Sequence, residues 1–173
     1  SLPGGCAIGS RPVDLHLMAL KKLGAKIKIK NGYIYAKSDD GLKGAKINFT
    51  KISVGATENA ILAAFGAKGK TVLSNCAVEP EIKDLIRYLN KIGGKITTKN
   101  RKIFIDGVKK VKNISYKIMQ DRIELGTYVV AASLIGKKIL FRNVDPNLIK
   151  TELTVLRKMG VKIKVTNKKI LIF

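Results

Sequence analysis

Polar and apolar residues alternate strictly through Lys26-Ile27-Lys28-Ile29-Lys30, a period of two that predicts a strand with one dry and one wet face. By contrast, Ala60-Ile61-Leu62-Ala63-Ala64-Phe65 and Tyr128-Val129-Val130-Ala131-Ala132-Ser133-Leu134 are apolar nearly all round, and helices of that kind belong in an interior. The two patterns together predict an α/β (α+β) fold turned inside out, with buried helices and sheets that face solvent. The reading is that of an inside-out α/β barrel built from repeated helix-strand-helix-strand-strand units.

The repeat is visible in the residues. Leu20-Lys21-Lys22-Leu23-Gly24-Ala25-Lys26-Ile27 returns as Leu89-Asn90-Lys91-Ile92-Gly93-Gly94-Lys95-Ile96 and again as Leu156-Arg157-Lys158-Met159-Gly160-Val161-Lys162-Ile163. Each copy ends an amphipathic helix at a Gly, where a left-handed cap costs little, and then enters a strand. Short polar turns follow at Lys30-Asn31-Gly32, Lys99-Asn100-Arg101 and Thr166-Asn167-Lys168, each predicting a hairpin. Ahead of the later two copies, Thr57 to Asn75 and Gly126 to Asn143 each read as an apolar helix, a turn and a strand. Pro80 and Pro146 then open the next helix, with acidic neighbours suited to its positive end. Val108 to Met119 reads as a connection plus a strand, and Asp121 as the N-cap of a fresh helix. A domain crossover is expected near residue 120, giving segments 1–120 and 121–173.

Composition changes this picture little. The apolar fraction of 46% suffices for a core, and no run reaches the roughly 20 residues of a membrane span. No leader pattern is present, so a cytoplasmic location without membrane partners is expected. The chain opens at Ser1 without Met and stops at Phe173 without a polar tail, so both ends are expected to be cuts through a longer protein. A formal net charge of +22 first suggests nucleic acid. Only six of the 34 basic residues are Arg, however, and the Lys are scattered over strand faces and helix backs. Aromatic content is 6% without Trp, which gives no stacking platform. Solvated Lys and anionic small substrates are the expectation, with no nucleic acid. Cys6 and Cys76 form no Cys-x-x-Cys, and His16 is the single histidine. No metal site is therefore expected, and chemistry must come from Cys, carboxylates, Lys and Arg.

Two segments stand out. In the first, Pro3, Gly4, Gly5 and Gly9 surround Cys6 with a polar loop, and Arg11-Pro12 follow where a helix would begin. A helix start beside an Arg is an anion site, and both lower a nearby thiol's pKa. The plainer alternative is that Cys6 is a small buried apolar residue; Cys76, between strand and turn, is assigned to that role. The second segment is Lys51-Ile52-Ser53-Val54-Gly55-Ala56-Thr57-Glu58-Asn59, which leads from the strand Ala45 to Thr50 into the apolar helix. Its amides, Ser53 and Lys51 suit a phosphate, although Ser53 or Thr57 equally suits simple capping. The Gly-x-x-x-x-Gly-Lys-Ser/Thr spacing of a P-loop is absent. Asp121-Arg122-Ile123-Glu124 reads either as an ordinary capped helix start or as a site piece, with Arg122 a candidate for an interdomain face. Glu79 and Glu81, around Pro80, are explained by the helix dipole alone.

Together these residues resemble an enzyme family. Pro3-Gly4-Gly5-Cys6-x-Ile8-Gly9-x-Arg11-Pro12-Val13-Asp14-Leu15-His16 is similar to the catalytic loop of the enolpyruvyl transferases that act on UDP-N-acetylglucosamine. Lys51-x-Ser53-Val54-Gly55-Ala56-Thr57 resembles their nucleotide-binding turn, and Glu79-Pro80-Glu81-Ile82 and Asp121-Arg122-Ile123-Glu124-x-Gly126-Thr127 also match. The resemblance implies two inside-out domains of three repeats each. It implies transfer of the enolpyruvyl group of phosphoenolpyruvate to the sugar's 3-hydroxyl, with release of phosphate and no cofactor. Cys6 would then be the thiol that protonates the vinyl carbon or forms a covalent phospholactoyl adduct, and the target of fosfomycin. Arg11 would face the phosphate of phosphoenolpyruvate. Arg11, Pro12, Val13, Asp14 and Leu15, with Lys51, Ile52, Ser53 and Val54, would line the uridine and diphosphate pocket.

Gln120 stands where many members have Pro, and Ser10 where Ala is frequent. The family's N-terminal Lys-Asn motif, catalytic Asp and later Arg have no counterpart, so the segment resembles roughly two-fifths of such an enzyme. On this reading the isolated chain is inactive and open to self-association. Rival readings are the sister transferase of aromatic biosynthesis, a basic module binding nucleic acid, and a non-catalytic remnant. The Pro-Gly-Gly-Cys loop speaks against the first.

Overall fold

The structure is a computed structural model that describes residues 12–173. Among the described residues, five α-helices and nine strands follow one another as α1 (Asp14–Lys22), β1 (Lys26–Lys30), β2 (Tyr33–Lys37), β3 (Lys46–Asn48), α2 (Val54–Phe65), β4 (Lys70–Ser74), α3 (Pro80–Lys91), β5 (Lys95–Lys99), β6 (Lys102–Asp106), α4 (Arg122–Ile135), β7 (Ile139–Arg142), α5 (Lys150–Lys158), β8 (Ile163–Thr166) and β9 (Lys169–Ile172). The helix–strand–helix–hairpin order thus occurs twice, from α2 to β6 and from α4 to β9. The chain divides into two compact units between Tyr116 and Lys117.

In the first unit β1 and β2 form an antiparallel hairpin. A four-stranded sheet runs in the order β3-β4-β6-β5, with β3 parallel to β4 and the remaining pairs antiparallel. Its inner face carries Ile47, Thr71, Leu73, Ile96, Ile103 and Ile105, all buried. Its outer face carries Lys46, Lys70, Lys95, Thr97 and Lys102 in solvent. The alternation therefore gives the expected dry and wet faces. The apolar α2 packs against α1, α3, β4 and β6; Ala56, Ala60, Ile61 and Ala64 are buried along it. Small side chains on α2 let its neighbours approach closely, and α1 closes on it through the buried Ala19 and Leu23.

The second unit has a three-stranded antiparallel sheet, β7-β9-β8, beneath α4 and α5. Leu125, Val129, Ala132, Ile149, Leu153, Leu156, Ile170 and Ile172 form its core. Here the pattern differs from the expected fully interior helix: α4 buries Leu125, Val129 and Ala132, while Tyr128, Val130, Leu134 and Ile135 are exposed. Within this unit α4 has α5, the 3-10 turn Pro146–Ile149 and β9 against it, so one side of the helix is covered.

The repeated glycines act as expected. α1, α3 and α5 end at Leu23, Ile92 and Met159, and Gly24, Gly93 and Gly160 follow with φ of 98°, 116° and 95°. Backbone N–H groups there return to carbonyls of the last turn, as Ala25 to Leu20 and Val161 to Leu156 at 3.0 and 3.1 Å. Pro80 opens α3, whereas Pro146 opens the short 3-10 turn before α5. One expectation fails: Val108 to Met119 contains no strand. Its apolar residues recur often enough to look like a half-buried strand, yet Val111 and Ile118 are 61% and 77% exposed. No neighbouring strand offers a ladder, and the segment is fixed by separate hydrogen bonds instead.

Candidate functional site

The site is built from two helix starts. α2 begins after Ser53, whose extended backbone (φ −146°, ψ 125°) directs its hydroxyl to accept the Ala56 N–H at 3.2 Å. Ser53 is therefore the cap, and Thr57 does something else. Fully buried, Thr57 donates its hydroxyl hydrogen to the Ser53 carbonyl at 2.7 Å and accepts the Ala77 N–H at 3.1 Å. Thr57 thereby ties the start of α2 to the turn that follows β4. Lys51 and Ile52 are exposed just ahead of the cap, and Val54 is half-buried.

α1 begins differently. Its N-cap is Val13, which has no side-chain acceptor, so among the described residues no side chain caps the first turn. Pro12 precedes the cap rather than opening the helix. Asp14 is exposed at the first helical position, while Val13 and Leu15 are half-buried.

The fold brings these two starts together. A Cβ placed on Gly55 would lie 3.4 Å from Nε2 of His16, so the first turns of α1 and α2 are in contact. Segments 12–16 and 51–55, some forty residues apart in the chain, thus form one surface. Two positive helix ends meet there, with the exposed Lys51 alongside, an arrangement that attracts an anion. Among the described residues, Nδ1 of His16 and Oδ1 of Asn59 are buried without a hydrogen-bond partner. Buried polar atoms are normally paired. Both residues lie inside the sequence segments singled out above, but composition and spacing alone did not identify them; the signal is the orphaned atom.

The acids and thiols nearby sort into roles. Burial, with the nearby Glu81 carboxylate adding to it, holds the Glu58 carboxyl above its ordinary range. Cys76 is fully buried, and burial pushes its thiol up to about 11. Its backbone is also engaged, the N–H on the Arg101 carbonyl and the carbonyl on the Arg101 guanidinium, both at 3.0 Å. A protonated, enclosed sulfur is a packing residue, as expected.

Cys6 and Arg11 lie outside the described residues. Arg122 is the first residue of α4, half-buried in the second unit behind the N-cap Asp121, which accepts the Ile123 and Glu124 N–H groups at 2.7 and 3.2 Å. No group of His, Cys, Asp and Glu suited to a metal ion occurs among the described residues.

Comparison with known proteins completes the description. The family model for EPSP synthase (3-phosphoshikimate 1-carboxyvinyltransferase) matches residues 1–173. The chain belongs to the EPSP synthase family. This is a family of carboxyvinyl, or enolpyruvyl, transferases. Within it, the chain is 54% identical over 173 residues to the UDP-N-acetylglucosamine 1-carboxyvinyltransferase of Pelagibacter ubique (strain HTCC1062), covering 99% of this chain and 42% of the relative. The enzyme of the same name from Endomicrobium trichonymphae is 50% identical over 169 residues, with 96% and 40% covered. The chain therefore spans about two-fifths of the length of the curated relatives it matches. Among solved structures, the enolpyruvyl transferase NikO from Streptomyces tendae aligns with a TM-score of 0.78 at 19% identity, over 94% of this chain and 42% of that one. EPSP synthase from Acinetobacter baumannii aligns with a TM-score of 0.68 at 19% identity, over 98% and 40%. These structures share the α/β fold of the family.

Proposed function

We propose that the protein to which this chain belongs transfers the enolpyruvyl group of phosphoenolpyruvate to the 3-hydroxyl of UDP-N-acetylglucosamine, a step of peptidoglycan synthesis in the cytoplasm. The observation that carries the reading is 54% identity along 99% of the chain to an enzyme named for that carboxyvinyl transfer. Relatives of the same name at 46–50% identity favour it over transfer to the shikimate acceptor for which the family is named. Residues 1–120 then form the latter part of the first domain and 121–173 the first repeat of the second.

In this reading Cys6 is the thiol that protonates the vinyl carbon or forms the covalent adduct, and Arg11 faces the phosphate of phosphoenolpyruvate. Pro12, Val13, Asp14 and Leu15, with Lys51, Ile52, Ser53 and Val54, hold the uridine diphosphate portion. The contact between the α1 and α2 starts supports that grouping, because an anionic diphosphate is favoured by positive helix ends. Arg122, in the other unit, serves the interdomain face. The isolated chain is inactive, since two-fifths of the enzyme leaves the cleft incomplete.

The test is intact-mass spectrometry after incubation with fosfomycin, with and without UDP-N-acetylglucosamine, on this chain and on the full-length protein. A single adduct on Cys6, formed faster with the nucleotide sugar, is the expected result in the full-length protein, and a Cys6→Ala variant should take none. A folded full-length protein that stays unmodified at Cys6 removes it from the mechanism. Turnover by the 173-residue chain alone would refute the incomplete-cleft argument.

A further inference from the structure

The segment that joins the two units is held to the first by an unusual set of contacts. It starts at Gly107, where a Cβ would lie 1.7 Å from the Ala67 carbonyl oxygen, so only Gly fits. The Gly107 N–H reaches the Gly69 carbonyl at 3.0 Å, and the Val108 N–H reaches the Phe65 carbonyl at 2.8 Å. Further on, the Lys112 N–H bonds the Ile92 carbonyl at the end of α3, at 2.9 Å. The last hold is Tyr116. Its hydroxyl donates to Oδ1 of Asp84 at 2.8 Å and lies 3.3 Å from the Asp84 carbonyl oxygen. Its ring meets Tyr88 edge-on, centroids 5.2 Å apart, and Nζ of Lys91 sits 5.3 Å from its centroid.

Asp84 is the unusual member. It is a carboxylate on α3 that is 8% exposed, shared between the Tyr116 hydroxyl and the Arg87 guanidinium at 3.2 Å. A buried carboxylate needs such donors, because an ionised group out of water is costly unless hydrogen-bonded. Asp84, Arg87, Tyr88 and Lys91 all stand on α3, and all turn to one residue of a connector that has no secondary structure of its own. Tyr116 is also the last residue before the division between the units.

We propose that Tyr116 is a latch that keeps the end of the connector, residues 112–116, on α3. Closed, it makes the connector part of the first unit. Open, it frees residues 113–116, beyond the Lys112 anchor, from α3. The latch rests on the geometry of the first unit alone, not on the proposed reaction.

Hydrogen exchange on the 173-residue chain tests it. A phenol bonded to a carboxylate is a charge-assisted contact, and its loss raises local opening by about tenfold. In Tyr116→Phe, which keeps the ring and removes the hydroxyl, the Lys112 amide should lose about tenfold in protection while the amides of Ala60 and Ile61 in α2 keep theirs. Asp84→Asn, which retains an acceptor oxygen but no charge, should give a smaller loss at the same amide. Full protection of Lys112 in both variants overturns the latch. So does a loss that is equal in α2, since that reports general destabilisation of the unit.

Discussion

The two units meet the same backbone requirement with different side chains. A shift of 68 residues carries Ser53 onto Asp121, Ile61 onto Val129, Ala64 onto Ala132 and Asn75 onto Asn143. Both members of the first pair are N-caps, the helix pairs are buried, and both Asn residues have positive φ, 58° and 57°. The same shift carries Ala77 onto Asp145, whose N–H groups both need an acceptor in the turn after the strand. In the first unit the acceptor is the buried Thr57 hydroxyl at 3.1 Å; in the second, position 125 is Leu and the acceptor is Oε1 of Gln120 at 2.8 Å. Gln120 also donates to the Asn143 carbonyl, while in the first unit Asn75 itself donates to Phe49 at 2.9 Å. A repeat keeps its hydrogen-bonding demands longer than it keeps the residues that meet them. Gln120 makes both contacts through its side-chain amide, which a Pro at that position could not.

The units differ as well in what covers the apolar helix. Ala56 and Ala60 of α2 are buried where α1 packs; their counterparts on α4 are Glu124 and Tyr128, both exposed. Exchanging these residues is the harshest way to break the comparison. Ala60→Tyr should overpack the α1–α2 seam and cost about 3 kcal/mol or more, whereas Tyr128→Ala should stay within about 0.5 kcal/mol. Urea unfolding of both variants measures this. A cost below about 1 kcal/mol for Ala60→Tyr would show that α1 yields readily.

Cys76 separates the units by pH, since residues 117–173 contain no cysteine. Its thiol, ordinarily at 9.0, is pushed up to about 11 in the folded chain by burial. Below 9 both folded and unfolded states are protonated and the residue is neutral to stability. As pH rises from 9 towards 11 the unfolded thiol ionises first and holds fewer protons, so stability falls, by about 2 to 3 kcal/mol at most. Lysines titrate over the same range, so the expected result is a difference: the parent should lose more stability than Cys76→Ala between pH 9 and 11. Parallel curves would show that the sulfur ionises freely in the fold.

Thr57→Val should cost about 2 kcal/mol, because it leaves the buried Ala77 N–H without its acceptor. The shape is nearly conserved, so denaturant midpoints report the lost hydrogen bonds with little contribution from packing. A near-neutral result would mean that water reaches Ala77.

What could be read in advance follows from the range of each signal. Strand alternation, glycine stops and Pro starts are local, and the helices and hairpins they announced are present, although Pro12 lies ahead of the α1 cap and Pro146 opens a 3-10 turn. The starts of α1 and α2 were each picked out locally, the first from Arg11-Pro12 and the second from the Ser53 cap, because such signals lie within a few residues. That they touch was beyond local reading: it depends on how the chain between them brings Gly55 against His16. The Val108 to Met119 segment failed for the complementary reason. Period-two apolar spacing gives a face preference but no pairing partner, and this segment has discrete anchors at Phe65, Ile92 and Asp84 in place of a ladder. Nor could sequence foresee that Tyr128 would be exposed where Ala60 is buried, since coverage depends on whether another helix lies alongside.

The smallest effect sharpens the comparison most. Gln120→Ala removes both contacts of the amide, yet these are exposed, so water can take their place and the cost should be about 0.5–1 kcal/mol. Gln120→Pro should cost about as much, for it also lacks the amide. Combined with Leu125→Thr, which restores the acceptor used in the first unit, Gln120→Ala should recover part of its loss if the two units are interchangeable at this turn. Measured as a double-mutant cycle by urea unfolding, a coupling of about 0.5 kcal/mol or more would show that position 125 can again serve the Asp145 N–H. Strict additivity would show that Leu125 has become a packing residue of the second unit, and that the two turns, though alike in backbone, no longer accept each other's side chains.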